Sequence, residues 1–125
     1  MAISKPKLLI VEDDISSQQY YSVVLRELFD LSIASTVEQA KQALADEKFE
    51  LALVDISLPG DEDGIDLIKF IRSEYTNSLP ALAISAHAFP RNREEALAAG
   101  AVDFFTKPIM SAVLMEIIQK YIPKT

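Results

Sequence analysis

Leu8-Leu9-Ile10-Val11-Glu12-Asp13-Asp14 is a run of four apolar residues closed by three acids. The same form recurs at Leu51-Ala52-Leu53-Val54-Asp55, at Ala81-Leu82-Ala83-Ile84-Ser85 and at Phe104-Phe105-Thr106-Lys107. Short apolar runs bounded by polar residues read as strands of a parallel sheet, buried on both faces. In an open α/β sheet the ligand crevice lies at the carboxyl ends of the strands. Glu12, Asp13, Asp55, Ser85 and Lys107 are therefore predicted to converge on one crevice. Three carboxylates, a hydroxyl and an ammonium gathered there point to Mg²⁺ and a phosphoryl group.

Between these runs the chain reads as helix. Ile15 to Phe29 is predicted helical, with Asp14 as its N-cap and Tyr21, Leu25 and Leu28 on its inward face. Leu31 to Ala34 is a short second strand. Thr36-Val37-Glu38-Gln39 has the form of a capping box, and the helix it opens buries Ala40, Ala43 and Leu44. Ile56 to Asp63 is a loop, with Pro59 and Gly60 as turn residues. Helices follow at Ile65 to Ser73 and at Arg91 to Ala99, the latter stopped by Gly100. Ser111 is expected to cap a last helix with Leu114, Ile118 and Tyr121 facing inward, ended by Pro123. The alternation predicts an α/β fold, (βα)5, doubly wound, with helices on both faces and right-handed crossovers.

The chain has 125 residues, half of them hydrophobic, which is one domain with one sizeable core. One domain over residues 1–125 is expected, with no output domain. The formal net charge of -7 argues against nonspecific binding to nucleic acid or anionic membranes. There is no cysteine, hence no disulfide framework and no thiol chemistry. The residues from Met1 to Lys7 lack the apolar core of a secretory signal, and no stretch is long enough to span a bilayer. A cytoplasmic location is the expectation. Glycine occurs only at 60, 64 and 100, so no glycine-rich nucleotide cradle is present.

The residue types suit metal-assisted phosphoryl transfer. Mg²⁺ takes oxygen ligands in an octahedron, commonly one or two carboxylates with water and phosphate oxygens. Glu12, Asp13 and Asp55 supply carboxylates, and the Ser57 backbone carbonyl is placed to add another ligand. One Mg²⁺ and the Lys107 ammonium would balance three negative charges and let an anionic phosphoryl donor approach Asp55. In such transfers the protein mainly positions groups and neutralises charge. The Ser85 hydroxyl can donate to a phosphoryl oxygen, and Lys107 is a flexible point charge suited to the same task. Pro108 would hold the Lys107 carbonyl in a fixed turn, with a cis bond as one form of it. Taken singly, Asp55 is an ordinary turn acid, Ser85 carries almost nothing and Lys107 is an ordinary loop lysine. The joint pattern, each at the end of its own strand, is what favours a site.

At these residues the chain resembles the receiver domain of bacterial two-component response regulators. The motifs are Leu8-Leu9-Ile10-Val11-Glu12-Asp13-Asp14, Leu53-Val54-Asp55-Ile56-Ser57-Leu58-Pro59, Ile84-Ser85-Ala86 and Phe104-Phe105-Thr106-Lys107-Pro108, and they cover essentially the whole chain. The resemblance implies a flavodoxin-like three-layer sandwich with strand order 2-1-3-4-5. It implies a phosphoacceptor at Asp55 and Mg²⁺ on Glu12, Asp13 and Asp55. It also implies a sensor histidine kinase or histidine phosphotransfer protein as donor, and Ser85 and Lys107 as residues that sense the phosphoryl group. Phe104 stands at the family's aromatic switch position, three before the lysine, without the frequent tyrosine hydroxyl. Ser57 and His87, the only histidine, stand where the family tunes autodephosphorylation, and the small Ala86 leaves the phosphoryl pocket open. The face made by the fourth helix, fifth strand and fifth helix would be reshaped and would meet a downstream partner or a second copy. Of the nearby apolar residues Ile109, Met110 and Met115, most are expected in the core.

Five steps separate Pro59 from Gly64 where the family usually has four, so the loop Gly60-Asp61-Glu62-Asp63 holds one extra residue. Other readings are weighed against this one. A Mg²⁺-dependent phosphatase with an aspartyl nucleophile carries a second Asp two positions on, where this chain has Ser57. A receiver that has lost phosphorylation typically lacks an acid or the lysine, and this chain keeps them all. A flavin or nucleotide binder would need a phosphate loop after the first strand. The expectation is therefore a signal receiver that promotes only its own phosphorylation and dephosphorylation, not an enzyme acting on a separate substrate.

Overall fold

In the computed structural model, which describes residues 5–75, 78–87 and 89–122, strands and helices alternate through the chain. The order is β1 (Lys7–Val11), α1 (Ile15–Leu25), β2 (Asp30–Ala34), α2 (Val37–Asp46), β3 (Leu51–Asp55), α3 (Gly64–Tyr75), β4 (Ala81–Ser85), α4 (Pro90–Ala99), β5 (Asp103–Thr106) and α5 (Ser111–Tyr121). The five strands are parallel and lie in the order β2-β1-β3-β4-β5, as expected.

Side chains alternate across a strand, and here each set finds its own helical layer. Leu9, Val11, Ala52, Val54, Ala83 and Phe104 pack with α2, α3 and α4. Leu8, Ile10, Leu51, Leu53, Leu82 and Ile84 pack with α1 and α5. Both faces are covered, which is why β3 and β4 are buried at every residue. Full burial of each such Leu or Ile stabilises the fold by about 1.5–3 kcal/mol.

Register carries the strand ends to one level. Val11 pairs with Val54, so Glu12 comes level with Asp55 across the β1–β3 boundary. Asp55 pairs with Ile84, and Ser85 with Thr106. The order reverses between β1 and β3, and a reversal of this kind opens a crevice for ligands.

Several helix limits differ from expectation. Helix α1 stops at Leu25, because the amides of both Leu28 and Phe29 donate to the Leu25 carbonyl in a tightened turn. That turn leaves Leu28 50% exposed and buries Phe29 in its place. Strand β2 then starts one residue early, with the Asp30 amide donating to Pro6. Helix α3 runs Gly64–Tyr75 and α4 begins at Pro90, both longer than predicted. Ser111 does not cap α5. The Met110 carbonyl already accepts from the Leu114 amide, which makes Ser111 the first helical residue. Tyr121 is only half-buried and its hydroxyl donates to Asp103.

The caps at Asp14 and Thr36 form as expected. The Gln39 carboxamide, however, accepts from Ser35 rather than from Thr36 itself. In α2, Val37 joins Ala40 and Leu44 in the core, while Ala43 is half-buried. Pro123 lies outside the described residues. Among the described residues no helix is long and apolar enough to cross a membrane.

Candidate functional site

Glu12 follows β1 directly and is fully buried. Its Oε2 accepts from the Asp14 amide at 3.1 Å, a bond that the turn into α1 dictates. Asp13, between them, faces solvent. Asp55 closes β3 and is 5% exposed. Its Oδ1 accepts from the Ser57 amide at 2.8 Å, and its Oδ2 accepts from Lys107 Nζ at 2.9 Å.

Lys107 comes straight after β5 and bridges the two buried acids. Its Nζ lies 2.5 Å from Glu12 Oε1 and 2.9 Å from Asp55 Oδ2. The Glu12 contact is an ion pair, and among the described residues Glu12 Oε1 has no other partner. The peptide bond from Lys107 to Pro108 is cis.

The charges explain the proton affinities. Burial pushes the Glu12 carboxyl up, Lys107 and the Asp14 amide pull it down, and the neighbouring Asp55 charge adds to the rise, so the net shift is upward. Burial pulls the Lys107 ammonium down, but Glu12 and Asp55 together outweigh it and hold it above its ordinary range. Both shifts describe one cluster with more negative than positive charge. Burial, and then the charges of Glu12 and Asp55, push the Tyr21 phenol up, so it stays neutral.

Glu12, Asp13 and Asp55 each bring a carboxylate oxygen within 4.8 Å of the others. All donors are oxygens, as a hard divalent cation requires. The three carboxylates outnumber the one ammonium among them, so the cluster carries net negative charge and the residues present fit Mg²⁺.

Ser85 ends β4 fully buried, its hydroxyl accepting from the His87 amide at 3.0 Å. Lys107's amide donates to the Ser85 carbonyl, which ties the two strand ends together. Phe104 is buried in the core beneath α4. His87 is exposed, and its ring stacks on Phe89 with centroids 6.1 Å apart. Ser57 is exposed at the start of the β3–α3 loop. Among the described residues no hydrogen bond joins the Ser85 hydroxyl, Phe104 or the His87 ring to the carboxylates.

Three features escape sequence reasoning. Gly64 opens α3 against the end of β3, where a Cβ would sit 2.2 Å from the Asp55 carbonyl oxygen. Lys41 on α2 reaches the β3–α3 loop. A groove of about 480 Å³ flanks Lys107, lined by Ser16, Tyr20, Tyr21, Pro108 and Met110 among others. The Tyr20 hydroxyl donates to the Ile109 carbonyl across it at 2.5 Å. Ile109 is buried and Met115 half-buried, but Met110 is 74% exposed at the groove's edge and not in the core. For Gly64 the scarcity of glycine in the chain is a signal; Lys41 carries none.

The chain is similar in sequence and in fold to known proteins. The sequence profile of the response regulator receiver domain matches residues 8–119. The response regulator protein PilR of Pseudomonas aeruginosa is 35% identical over 117 residues, covering 93% of this chain and 26% of PilR. The response regulator RppA of Synechocystis is 35% identical, covering 87% of this chain and 47% of RppA. The chain thus spans between a quarter and a half of the length of these two relatives. Among solved structures, a CheY-like receiver domain protein from Methanospirillum hungatei superposes with a TM-score of 0.86 at 29% identity, covering 94% of this chain and 93% of the other. A response regulator from Thermotoga maritima gives 0.83 at 25% identity, covering 94% and 97%.

Proposed function

We propose that this chain, which belongs to the response regulator receiver domain family, accepts a phosphoryl group on Asp55 in a Mg²⁺-dependent step. The observation that carries the proposal is the bridge from Lys107 to both Asp55 and Glu12 within a cluster of three carboxylates. Mg²⁺ held by Glu12, Asp13, Asp55 and the Ser57 carbonyl would neutralise oxygen charge on the transferring group. An Asp55 carboxylate oxygen attacks phosphorus, an acyl–phosphate bond forms, and the bond from phosphorus to the donor breaks. The leaving group keeps the electron pair and takes up a proton. The Ser57 amide and Lys107 hold the Asp55 carboxylate in place from two sides.

The donor is a histidine kinase or a histidine phosphotransfer protein, consistent with the response regulators among its relatives. Lys107 then shifts its contact to a phosphoryl oxygen. Ser85 turns its hydroxyl from the His87 amide toward the same group, and Phe104 moves into the space that this frees. The face of α4, β5 and α5 is thereby switched for a downstream protein or a second copy. Such a switch is a shift between populations already present.

Intact mass after incubation with Mg²⁺ and acetyl phosphate tests the reading. One phosphoryl group is expected on the parent, and none on Asp55→Asn or in EDTA. Phosphorylation of Asp55→Asn to the parent's level would reject Asp55 as the acceptor. Ser57 and His87 edge the phosphoryl group and set its lifetime. Unchanged decay of the phosphoprotein in both Ser57→Ala and His87→Ala would remove that role.

A further inference from the structure

We propose that Lys41 is a positioning residue for the metal site, acting by clamping the β3–α3 loop onto α2. The inference rests on the reading of Glu12, Asp13, Asp55 and Ser57 as Mg²⁺ ligands. Lys41 lies outside that set, on a helix that contributes no ligand.

The loop from Ile56 to Asp63 is well tied at both ends. The Ile56 amide donates to Ile84, the Ser57 amide to Asp55, and the Gly64 amide to the Ile56 carbonyl. Asp63 and Asp66 exchange hydrogen bonds across the first turn of α3. Leu58 is buried in the core. From Pro59 to Glu62 the chain is exposed. In that stretch, among the described residues, the one polar tie to another element is the pair of Glu62 with Lys41. Lys41 Nζ lies 3.2 Å from Glu62 Oε1 and 3.3 Å from Oε2.

The same ammonium sits over the Phe70 ring of α3, 4.7 Å from its centroid. Lys41 thus touches α2, the loop and α3 at once. A cation over an aromatic face is attracted by the ring's negative centre, which helps hold the ammonium beneath Glu62. The loop closes over the N-terminal turn of α2, leaving a cleft of about 270 Å³ between Thr36, Val37, Pro59 and Glu62 among others. Ser57, whose carbonyl is the loop's metal ligand, stands two residues before Pro59. Fixing the loop at Glu62 restricts where that carbonyl can point. Residues beyond the ligands that hold them in place commonly govern metal affinity.

The sign of the effect separates a clamp from simple charge. Removing a lysine near a cation site should tighten Mg²⁺ by electrostatics alone, since less positive charge remains. Loss of a clamp should weaken it.

Mg²⁺ titrations of ¹⁵N-labelled protein, followed at the Ser57 amide, make the test. The dissociation constant is expected to rise about two- to fivefold in Lys41→Met and in Glu62→Gln, the scale of one exposed ion pair. The double variant should be no weaker than either single one, and Lys41→Arg should stay near the parent. Amide exchange at residues 58–62 should speed up in Lys41→Met, while the urea midpoint in EDTA moves little. Tighter or unchanged Mg²⁺ binding in Lys41→Met would overturn the clamp and leave the metal site standing. Absence of Mg²⁺ binding in the parent would overturn the site itself, and the clamp with it.

Discussion

Glu12 is the residue on which the site's electrostatics turn. It is fully buried and shares Lys107 with Asp55. Burial raises its proton affinity more than Lys107 and the Asp14 amide lower it. A folded-state pKa raised above the unfolded one stabilises the fold below the ordinary glutamate range of about 4.3. That stability is lost as the pH climbs through the folded value. In Mg²⁺-free buffer, then, the parent should lose stability as the pH rises above the ordinary glutamate range. Glu12→Gln should lose less and be the more stable of the two at neutral pH, with Asp55 still pairing Lys107. Urea unfolding across that pH range is the check. A variant that is less stable than the parent at neutral pH would show that the Lys107 pair outweighs burial. The acid's presence at the site is legible from its place after an apolar run. Its burial is not, because that depends on partners distant in the chain, Ala34 and Lys107 among them.

Strand ends are legible in the sequence because a polar residue after four apolar ones has only one place to go. Helix ends are less so, since they depend on which carbonyl an amide finds. The Leu25 carbonyl takes two amides and turns Leu28 outward, and nothing in the local residues distinguishes that from one more helical turn. The β3–α3 junction shows the same limit from the other side. Gly64 looks like a loop glycine in the sequence, yet its hydrogen atom faces the Asp55 carbonyl at a distance that leaves no room for a methyl group. Gly64→Ala should therefore push α3 off the end of β3, at a cost of about 1–3 kcal/mol. Gly60 makes the useful contrast. It has a φ of +103° but nothing within 4 Å of a Cβ, so Gly60→Ala meets backbone strain alone, about 1–2 kcal/mol. The discriminating readout is Mg²⁺ affinity measured beside stability. Gly64→Ala should weaken both, because Asp55 itself is displaced, whereas Gly60→Ala should weaken Mg²⁺ binding less. Equal effects of the two on Mg²⁺ would mean that Gly64 does not position Asp55.

For the molecule as a whole, charge and fold are coupled at one end of the sheet. The chain carries a formal net charge of -7. Three of its acids meet within 4.8 Å where β1 and β3 part, with one lysine between them. The topology forces that meeting, since parallel strands in the order β2-β1-β3-β4-β5 bring their carboxyl ends to one edge. The cost of the gathered charge is thus built into the folded state and vanishes when the chain unfolds and the acids separate. A cation that binds the folded cluster and not the unfolded chain should stabilise the protein by mass action. At one hundred times the dissociation constant the gain is about 2.7 kcal/mol, or about 10 °C in Tm for a domain of this size. Screening by salt would also raise Tm, but it acts on every exposed acid and does not depend on any one residue. The comparison is therefore Mg²⁺ against sodium chloride at matched ionic strength, in the parent and in Asp13→Asn. Asp13 suits the purpose because it is exposed and its loss leaves the buried Lys107 bridge intact. The Mg²⁺-specific part of the rise should be present in the parent and largely absent from the variant. If sodium chloride reproduces the whole rise, the three acids do not form a metal centre; if Asp13→Asn retains the Mg²⁺-specific part, Asp13 is not one of its ligands.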